Sequence, residues 1–321
     1  PVLDTSCSAL MRLAAAVHAQ GYKVALTGEG ADEALAGYVW FKMQRTRDRY
    51  LPPGSRLGVY LREKGMGLLV GNTSRLPALY PFGGVRTAQQ ELYDLLAVSR
   101  SAVYSSGMWD RLDGHDPYDD LSITNDRLAK WHPLNQSLYV GYKVMLAGLL
   151  MIAKGDRIAM HSSVEARYPF LDDDVITFCS EIAPEYKLRG RVDKWLLRQV
   201  AAKTLPKAIA NRPKTMFRSS LAKTFLGPER PAWVDQLLSP ESLQATGYFD
   251  PNSLAQARRS RLRYPRITPR QLGLDMQLTS VVSTQLWHHT FFGGGLCELP
   301  TWTPGPSTRR VPGIVTAAVS V

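Results

Sequence analysis

The sequence predicts an α/β fold: an open parallel sheet, incomplete on its N-terminal side, followed by a predominantly helical C-terminal part. Three observations predict it. A helix, a tight loop, a short β-type run and a new helix follow one another from Ser8 to beyond Asp32. Only one clear strand, Lys23 to Thr27, stands near the start, where a parallel sheet needs several strands and crossover helices. From there on the apolar spacing is mostly helical.

Each element has its own grounds. Leu10, Leu13, Ala14 and Val17 put one apolar face on Ser8–Gln20, with Ser6 to cap it and Gly21 to end it. Lys23–Thr27, between a glycine and a Gly-Glu-Gly turn, reads as a buried strand. Helices are expected from about Asp32 and near 88–105, 134–154, 171–182, 192–204, 230–238, 251–263 and 268–291. Segments 52–87 and 106–133 are rich in Gly, Pro, Ser and Asp and read as long irregular connections. One domain is expected over 1–292, with a loose tail over 293–321 that carries a Gly triplet, several prolines and Ser-Thr-Arg-Arg. There is no internal repeat.

Composition narrows the function classes. With 45% hydrophobic and 21% charged residues, an ordinary globular core is expected. The longest uncharged apolar run, Val144–Ala153, falls short of the ~20 residues a bilayer span needs, so no membrane role is expected. Cys7, Cys179 and Cys297 are odd in number and lack metal spacing, which reads as reduced thiols in a cytoplasmic protein. The net charge of +11 owes part of its excess to six arginines between Arg258 and Arg270. No nucleic-acid-binding motif accompanies them, so a solvated helix face is the better reading than a nucleic-acid partner.

The chemistry concentrates in TGEGADE, Thr27–Glu33. Two glycines after a strand let the chain turn sharply and let a ligand approach. Asp32 and Glu33 open a helix, where its dipole favours negative charge. Ligands of open α/β sheets sit beyond the carboxyl ends of the strands, and carboxylates beside phosphates there suit Mg²⁺. On this stretch alone, an acidic glycine turn with no ligand is an equal reading. Two further pieces bear on it. Lys154–Asp174 supplies Asp156, Arg157, Glu165 and Arg167, which by themselves read as a structural ion-pair network, while Asp172 reads as a helix cap. Lys194 lies early on an amphipathic helix. It reads as a surface lysine unless phosphate oxygens are near, and so do Arg212 and Lys214 on their loop.

LTGEGADEALAGY, GDRIAMHSSVEARYPFLD, LRGRVDKWLLR and RPK occur in that order, and together they resemble the synthetase domain of glutamine-dependent asparagine synthetases and their relatives. The resemblance runs from about Pro1 to Phe292. It implies an adenine-nucleotide α-hydrolase-like, Rossmann-like sheet, with ATP and Mg²⁺ at the site. The implied reaction is attack of aspartate's side-chain carboxylate on the α-phosphorus of ATP, release of pyrophosphate, and displacement of AMP by ammonia. By motif position, Asp32 would hold Mg²⁺ and pyrophosphate, and Glu29 would serve the adenylate or ammonia step as a base. Thr27 and Gly28 would line the nucleotide crevice, and Lys194 would stabilise phosphate charge. Tyr38 and Glu165 would organise these groups from behind. The implied partners are aspartate or another carboxylic acid, and ammonia from a glutaminase domain upstream or on another chain.

Two features depart from that family. Its pyrophosphate loop, Ser-Gly-Gly-x-Asp-Ser, has no counterpart here, SSGMWD at Ser105–Asp110 being the nearest imitation. Its glutaminase domain opens on a nucleophilic cysteine, and this chain opens on Pro1. The expectation is therefore the C-terminal portion of a larger enzyme, inactive alone, with an exposed parallel edge beside Lys23–Thr27. Two other readings remain open: an amide-forming relative acting on a natural-product acid, in the manner of β-lactam-forming or peptide-cyclising enzymes, or a non-catalytic derivative.

Overall fold

The computed structural model describes residues 6–50, 85, 87–115, 120–121, 123, 127–215, 224–263 and 268–293. Most of segment 52–87 and nearly all of the expected tail lie outside them. Helix α1 (Ser6–Ala19) stops ahead of Gly21, whose φ of 87° suits a residue without Cβ. Strand β1 (Val24–Leu26) follows and pairs in parallel with β2 (Glu165–Arg167), Val24 lying opposite Glu165 and Leu26 opposite Arg167. These three-residue strands are the whole parallel sheet among the described residues, so the chain is mostly helical with a small parallel sheet.

Here the sequence misleads. The strand was expected to be buried, yet Val24 is 40% and Leu26 74% exposed. Side chains of a strand alternate between faces, and only Ala25 turns toward the protein. Three apolar residues in a row concealed that division.

After β1 come the single turn α2 (Ala31–Ala34), α3 (Val39–Tyr50) and α4 (Ala88–Ser101). Segment 106–133 is less irregular than its composition suggests. It contains α5 (Ser106–Leu112), whose first turn is capped by Ser105 Oγ accepting from the Met108 N–H, and a 3₁₀ turn at Leu128–Lys130. Ser105 therefore works as a helix cap, and the resemblance of SSGMWD to a phosphate loop ends there.

Helix α6 (Pro133–Val140) runs on as a π-helix over Gly141–Asp156, broken at Gly155, and then as α7 (Arg157–His161). A π-helix this long is rare, and such geometry tends to accompany functional sites. The continuous helix Pro133–His161 has 29 residues and a mean hydropathy of 1.3 over its most apolar window, enough by length and composition to cross a bilayer. The ten-residue run read from the sequence understated it, because glycines and tyrosines extend the helix on the N-terminal side. Leu134, Leu138, Val140 and Leu146 on this helix are buried in the protein.

The remaining elements are α8 (Asp173–Glu181, capped by Asp172), α9 (Pro184–Lys187), and an antiparallel pair, β3 (Leu188–Arg189) and β4 (Val192–Asp193). Helices α10 (Trp195–Thr204), α11 (Lys207–Ala210), α12 (Ala232–Leu237), α13 (Pro240–Thr246), α14 (Pro251–Arg263) and α15 (Pro269–Phe291) complete the chain.

Two clusters make most of the core. Tyr38, Trp40 and Phe41 pack with Leu134, Leu138 and Leu188 and hold the acidic turn from below. Val234, Leu237, Leu243, Leu254, Leu278 and Val281 join α12 to α15. Each such side chain contributes about 1.5–3 kcal/mol on burial. Cys7 and Cys179 are free thiols, the first half-buried and the second buried.

Candidate active site

The acidic turn is built by small residues at close quarters. The Thr27 N–H donates to Arg167 O at 2.9 Å, extending the β1–β2 ladder by one step. Gly30 caps α2 with φ 89°, and a Cβ there would lie 2.3 Å from Leu171 Cδ2. All four residues of α2 are buried. At Gly37 a Cβ would lie 1.8 Å from Asp32 Oδ1 and 2.3 Å from Lys194 Cε. The glycine thus makes the space in which acid and lysine meet.

Asp32 is the centre. Lys194 Nζ stands 2.9 Å from its Oδ1, and Lys214 Nζ donates to its Oδ2 at 2.9 Å. Lys194 is not within a helix, as its spacing suggested, but caps α10 in the left-handed region (φ 48°, ψ 39°). A non-glycine residue pays about 1–2 kcal/mol for that backbone, a cost met at functional positions. Its N–H donates to Leu35 O at 3.1 Å, which ties it to the acidic turn. The neighbouring Asp193 anchors the hairpin by accepting from Lys42 and, at 2.5 Å, from Arg198. Arg198 also donates to the carbonyls of Ala210 and Arg212 and so holds the loop that carries Lys214.

Behind Asp32 lies Glu33, fully buried. The Tyr38 hydroxyl donates to its Oε1 at 2.9 Å. Burial pushes the Glu33 carboxyl up to about 7, against its own backbone N–H and Tyr38, which favour the charged form. The Tyr38 hydroxyl is pushed far up by burial and by the charges of Glu33 and Asp32. Lys214 Nζ sits 5.4 Å from the centre of the Tyr38 ring, within cation–π range. Burial and the nearby Asp32 charge also raise Glu29, while Lys214, Lys154 and Lys194 pull it down. The end of the π-helix reaches this region too: Tyr168 donates to Asp156 Oδ1 at 2.6 Å and fills the space left by Gly155.

The structure thus brings Thr27, Gly28, Glu29, Asp32, Tyr38 and Lys194 together. It leaves out Glu165, which is exposed at the first position of β2, opposite Val24, with its Oε1 accepting from Arg167 at 2.8 Å. The site lies past the other end of the strands. Three residues were underrated from sequence: Lys214, which had only the short RPK string to mark it, Glu33, read as a helix-start acid, and Lys154.

One detail points to a ligand. Thr27 Oγ1 is buried with no hydrogen-bond partner among the described residues. A Cβ on Gly28 would meet nothing within 4 Å, so packing does not demand that glycine. The charges suit a polyphosphate, since two carboxylates, Glu29 and Asp32, share their surroundings with Lys154, Lys194 and Lys214.

The donors also fit magnesium. Glu29 and Asp32 are two neighbouring carboxylates, the number Mg²⁺ takes beside phosphate oxygens and water. Asp32, with Glu29 beside it, would hold that ion.

Comparison with known proteins bears on the reaction. The family model described as asparagine synthase matches residues 1–289. "Amidase chyE" of Penicillium rubens is 25% identical over 284 residues, covering 80% of this chain and 41% of that protein. "Amidase chry2" of Gibberella zeae is 23% identical over 282 residues, covering 78% and 40%. A glutamine-hydrolysing asparagine synthetase of Bacillus subtilis is 27% identical over 229 residues, covering 69% and 34%. The chain spans about two fifths or less of the length of these relatives.

Proposed function

Since the chain belongs to the asparagine synthase family, we propose that it forms the synthetase site of an ATP-dependent, amide-forming enzyme. The observation that carries this reading is the Asp32 carboxylate bridged by Lys194 and Lys214 past the end of β1. An acceptor carboxylate attacks the α-phosphorus of ATP, and the bond to the β-phosphate breaks. That step needs charge neutralised on the departing pyrophosphate more than it needs a covalent protein group. Lys194 and Lys214, already paired with an anionic oxygen each, are placed to exchange it for phosphate oxygens. Magnesium bound at Asp32 would add charge neutralisation on the same phosphates. Thr27 Oγ1 and the open face of Gly28 line the nucleotide crevice within an adenine-nucleotide α-hydrolase-like site.

The second step joins nitrogen to the acyl adenylate and releases AMP. The incoming ammonia must lose a proton, and Glu29 takes it; its raised carboxyl, lifted by burial and by Asp32, is a better base than an ordinary glutamate. The acceptor in this proposal is aspartate and the nitrogen donor glutamine-derived ammonia, giving asparagine. A second reading, another carboxylic acid as acceptor, stands beside it, because two of the relatives are named amidases and not asparagine synthetases.

Acid-dependent exchange of labelled pyrophosphate into ATP, measured on the gene product that contains this chain, tests the proposal. Exchange driven by aspartate, with asparagine formed on adding ammonia, supports the first reading. Exchange driven only by other acids supports the second. No exchange with any acid, or unchanged exchange in Asp32→Asn and Lys194→Met, would remove the catalytic reading and leave a non-catalytic derivative.

A further inference from the structure

A cavity of about 570 Å³ opens beside the acidic turn, and none of the reacting groups lines it. Its walls are Trp131, Tyr139 and Tyr142 from one side and Ile176 and Cys179 of α8 from the other. Of the lining, Ala34, Leu138 and Cys179 are buried and Trp131 is 38% exposed. Lys187 also lines it and is only 3% exposed. Among the described residues it has no hydrogen-bonding or ion-paired partner. Burial pulls its ammonium pKa down, and the neighbouring Cys179 thiol opposes that only weakly. An unpaired buried lysine costs folding free energy. Burying the amine without a counter-ion makes sense where a ligand supplies one.

We infer that this cavity binds a carboxylic acid with an aromatic or large apolar body, the carboxylate against Lys187 Nζ and the body between Trp131, Tyr139 and Tyr142. The volume lies within the range for small-molecule sites, and an apolar wall with few polar groups is their usual make-up. Glu33 is the other charged residue at the wall, and it does not oppose an anion. Its Oε1 accepts from Tyr38, and its Oε2 is buried, so the cavity does not present it. The site is separate from the reacting cluster: Glu29, Asp32, Lys194 and Lys214 do not line it. The bound acid sits apart from those groups, as a ligand and not as the acceptor.

Titration calorimetry on the gene product, with indole-3-acetate, 3-phenylpropanoate and neutral 3-phenylpropanamide as probes, tests this. Both acids should bind, and the amide at least about 10-fold more weakly, the usual scale for leaving a buried charge unpaired. Lys187→Met should abolish that preference while raising the melting temperature of the ligand-free protein, which keeps a loss of binding distinct from a loss of fold. Ser180→Trp, at the exposed rim, should block both acids. Equal binding of acid and amide, or wild-type affinity in Lys187→Met, would overturn the assignment. So would conversion of the bound acid to its amide, which would make the cavity an acceptor pocket. The inference stands independently of the proposed reaction, because pyrophosphate exchange can fail while these probes still bind.

Discussion

Gly37→Ala is the sharpest perturbation of the site. The added Cβ would lie 1.8 Å from Asp32 Oδ1, where ordinary contact begins near 3.4 Å, so the oxygen must move by about 1.6 Å. Lys194 Cε, 2.3 Å from the same added Cβ, must give way as well, so the 2.9 Å pairing of Asp32 Oδ1 with Lys194 Nζ is pushed apart from both sides. Asp32 is 9% exposed, so water replaces the lost partner poorly. Weakening this ion pair at a buried carboxylate costs about 1–3 kcal/mol, and an off-rotamer side chain adds about 0.5–1.5. The melting temperature should therefore drop by several degrees, and affinity for Mg-ATP should fall by about 10- to 100-fold. Differential scanning fluorimetry and titration calorimetry read the two effects, and circular dichroism checks the fold. The control is Gly28→Ala, whose Cβ would meet nothing within 4 Å. It should change stability by less than about 0.5 kcal/mol yet weaken nucleotide binding. If Gly37→Ala matches wild type in both readouts, the close packing of Asp32, Gly37 and Lys194 does not shape the site.

Further outcomes follow from other contacts. Lys214→Met should cut pyrophosphate exchange by about 10²-fold or more, the scale of losing one charge-stabilising group, with little change in helix content by circular dichroism. In Asp193, burial pushes the carboxyl up, but hydrogen bonds from Lys42 and Arg198 outweigh it and hold it below its ordinary 3.8. A depressed carboxylate stabilises the fold above its unfolded value and loses that contribution as pH falls through the folded one. Acid unfolding should therefore steepen below about pH 4, and Asp193→Ala, which leaves two cations without their shared anion, should cost about 3 kcal/mol at pH 7 in urea titrations. Leu26→Thr should leave stability within about 0.5 kcal/mol, since the side chain is 74% exposed, while reducing self-association by light scattering.

The helices were legible because long amphipathic segments repeat their signal. Pro251–Arg263 falls on its expected bounds, and Pro269–Phe291 starts one residue late. Short elements were not legible. Glu165–Arg167 is a strand only because Lys23 O and the β1 backbone, far away in the chain, offer it partners, and nothing within Glu-Ala-Arg announces that. Val192 and Asp193 read as the start of a helix, but Gly190 at φ 61° turns the chain into a hairpin, and Lys194 takes the left-handed conformation that starts α10. Propensity cannot foresee that a lysine will occupy a position which suits glycine. The constraint is tertiary, set by the Leu35 carbonyl and the Asp32 carboxylate.

The site was half legible for a related reason. The acidic turn is contiguous, so its glycines and carboxylates carry their meaning together: Gly30 for the left-handed cap, Gly37 for the approach of Lys194, Asp32 for the charge. The lysines that complete it come from two other segments, and one lysine on a loop looks like any other. Lys214 becomes informative only when its Nζ is found at 2.9 Å from the second oxygen of a carboxylate whose first oxygen is already taken. Lys187 shows the converse. Nothing in the sequence singles it out, yet it closes a short helix and is buried without an anion among the described residues. In both cases the physical question is which anion the ammonium serves. For Lys214 the protein supplies Asp32, and for Lys187 it leaves the place to a ligand.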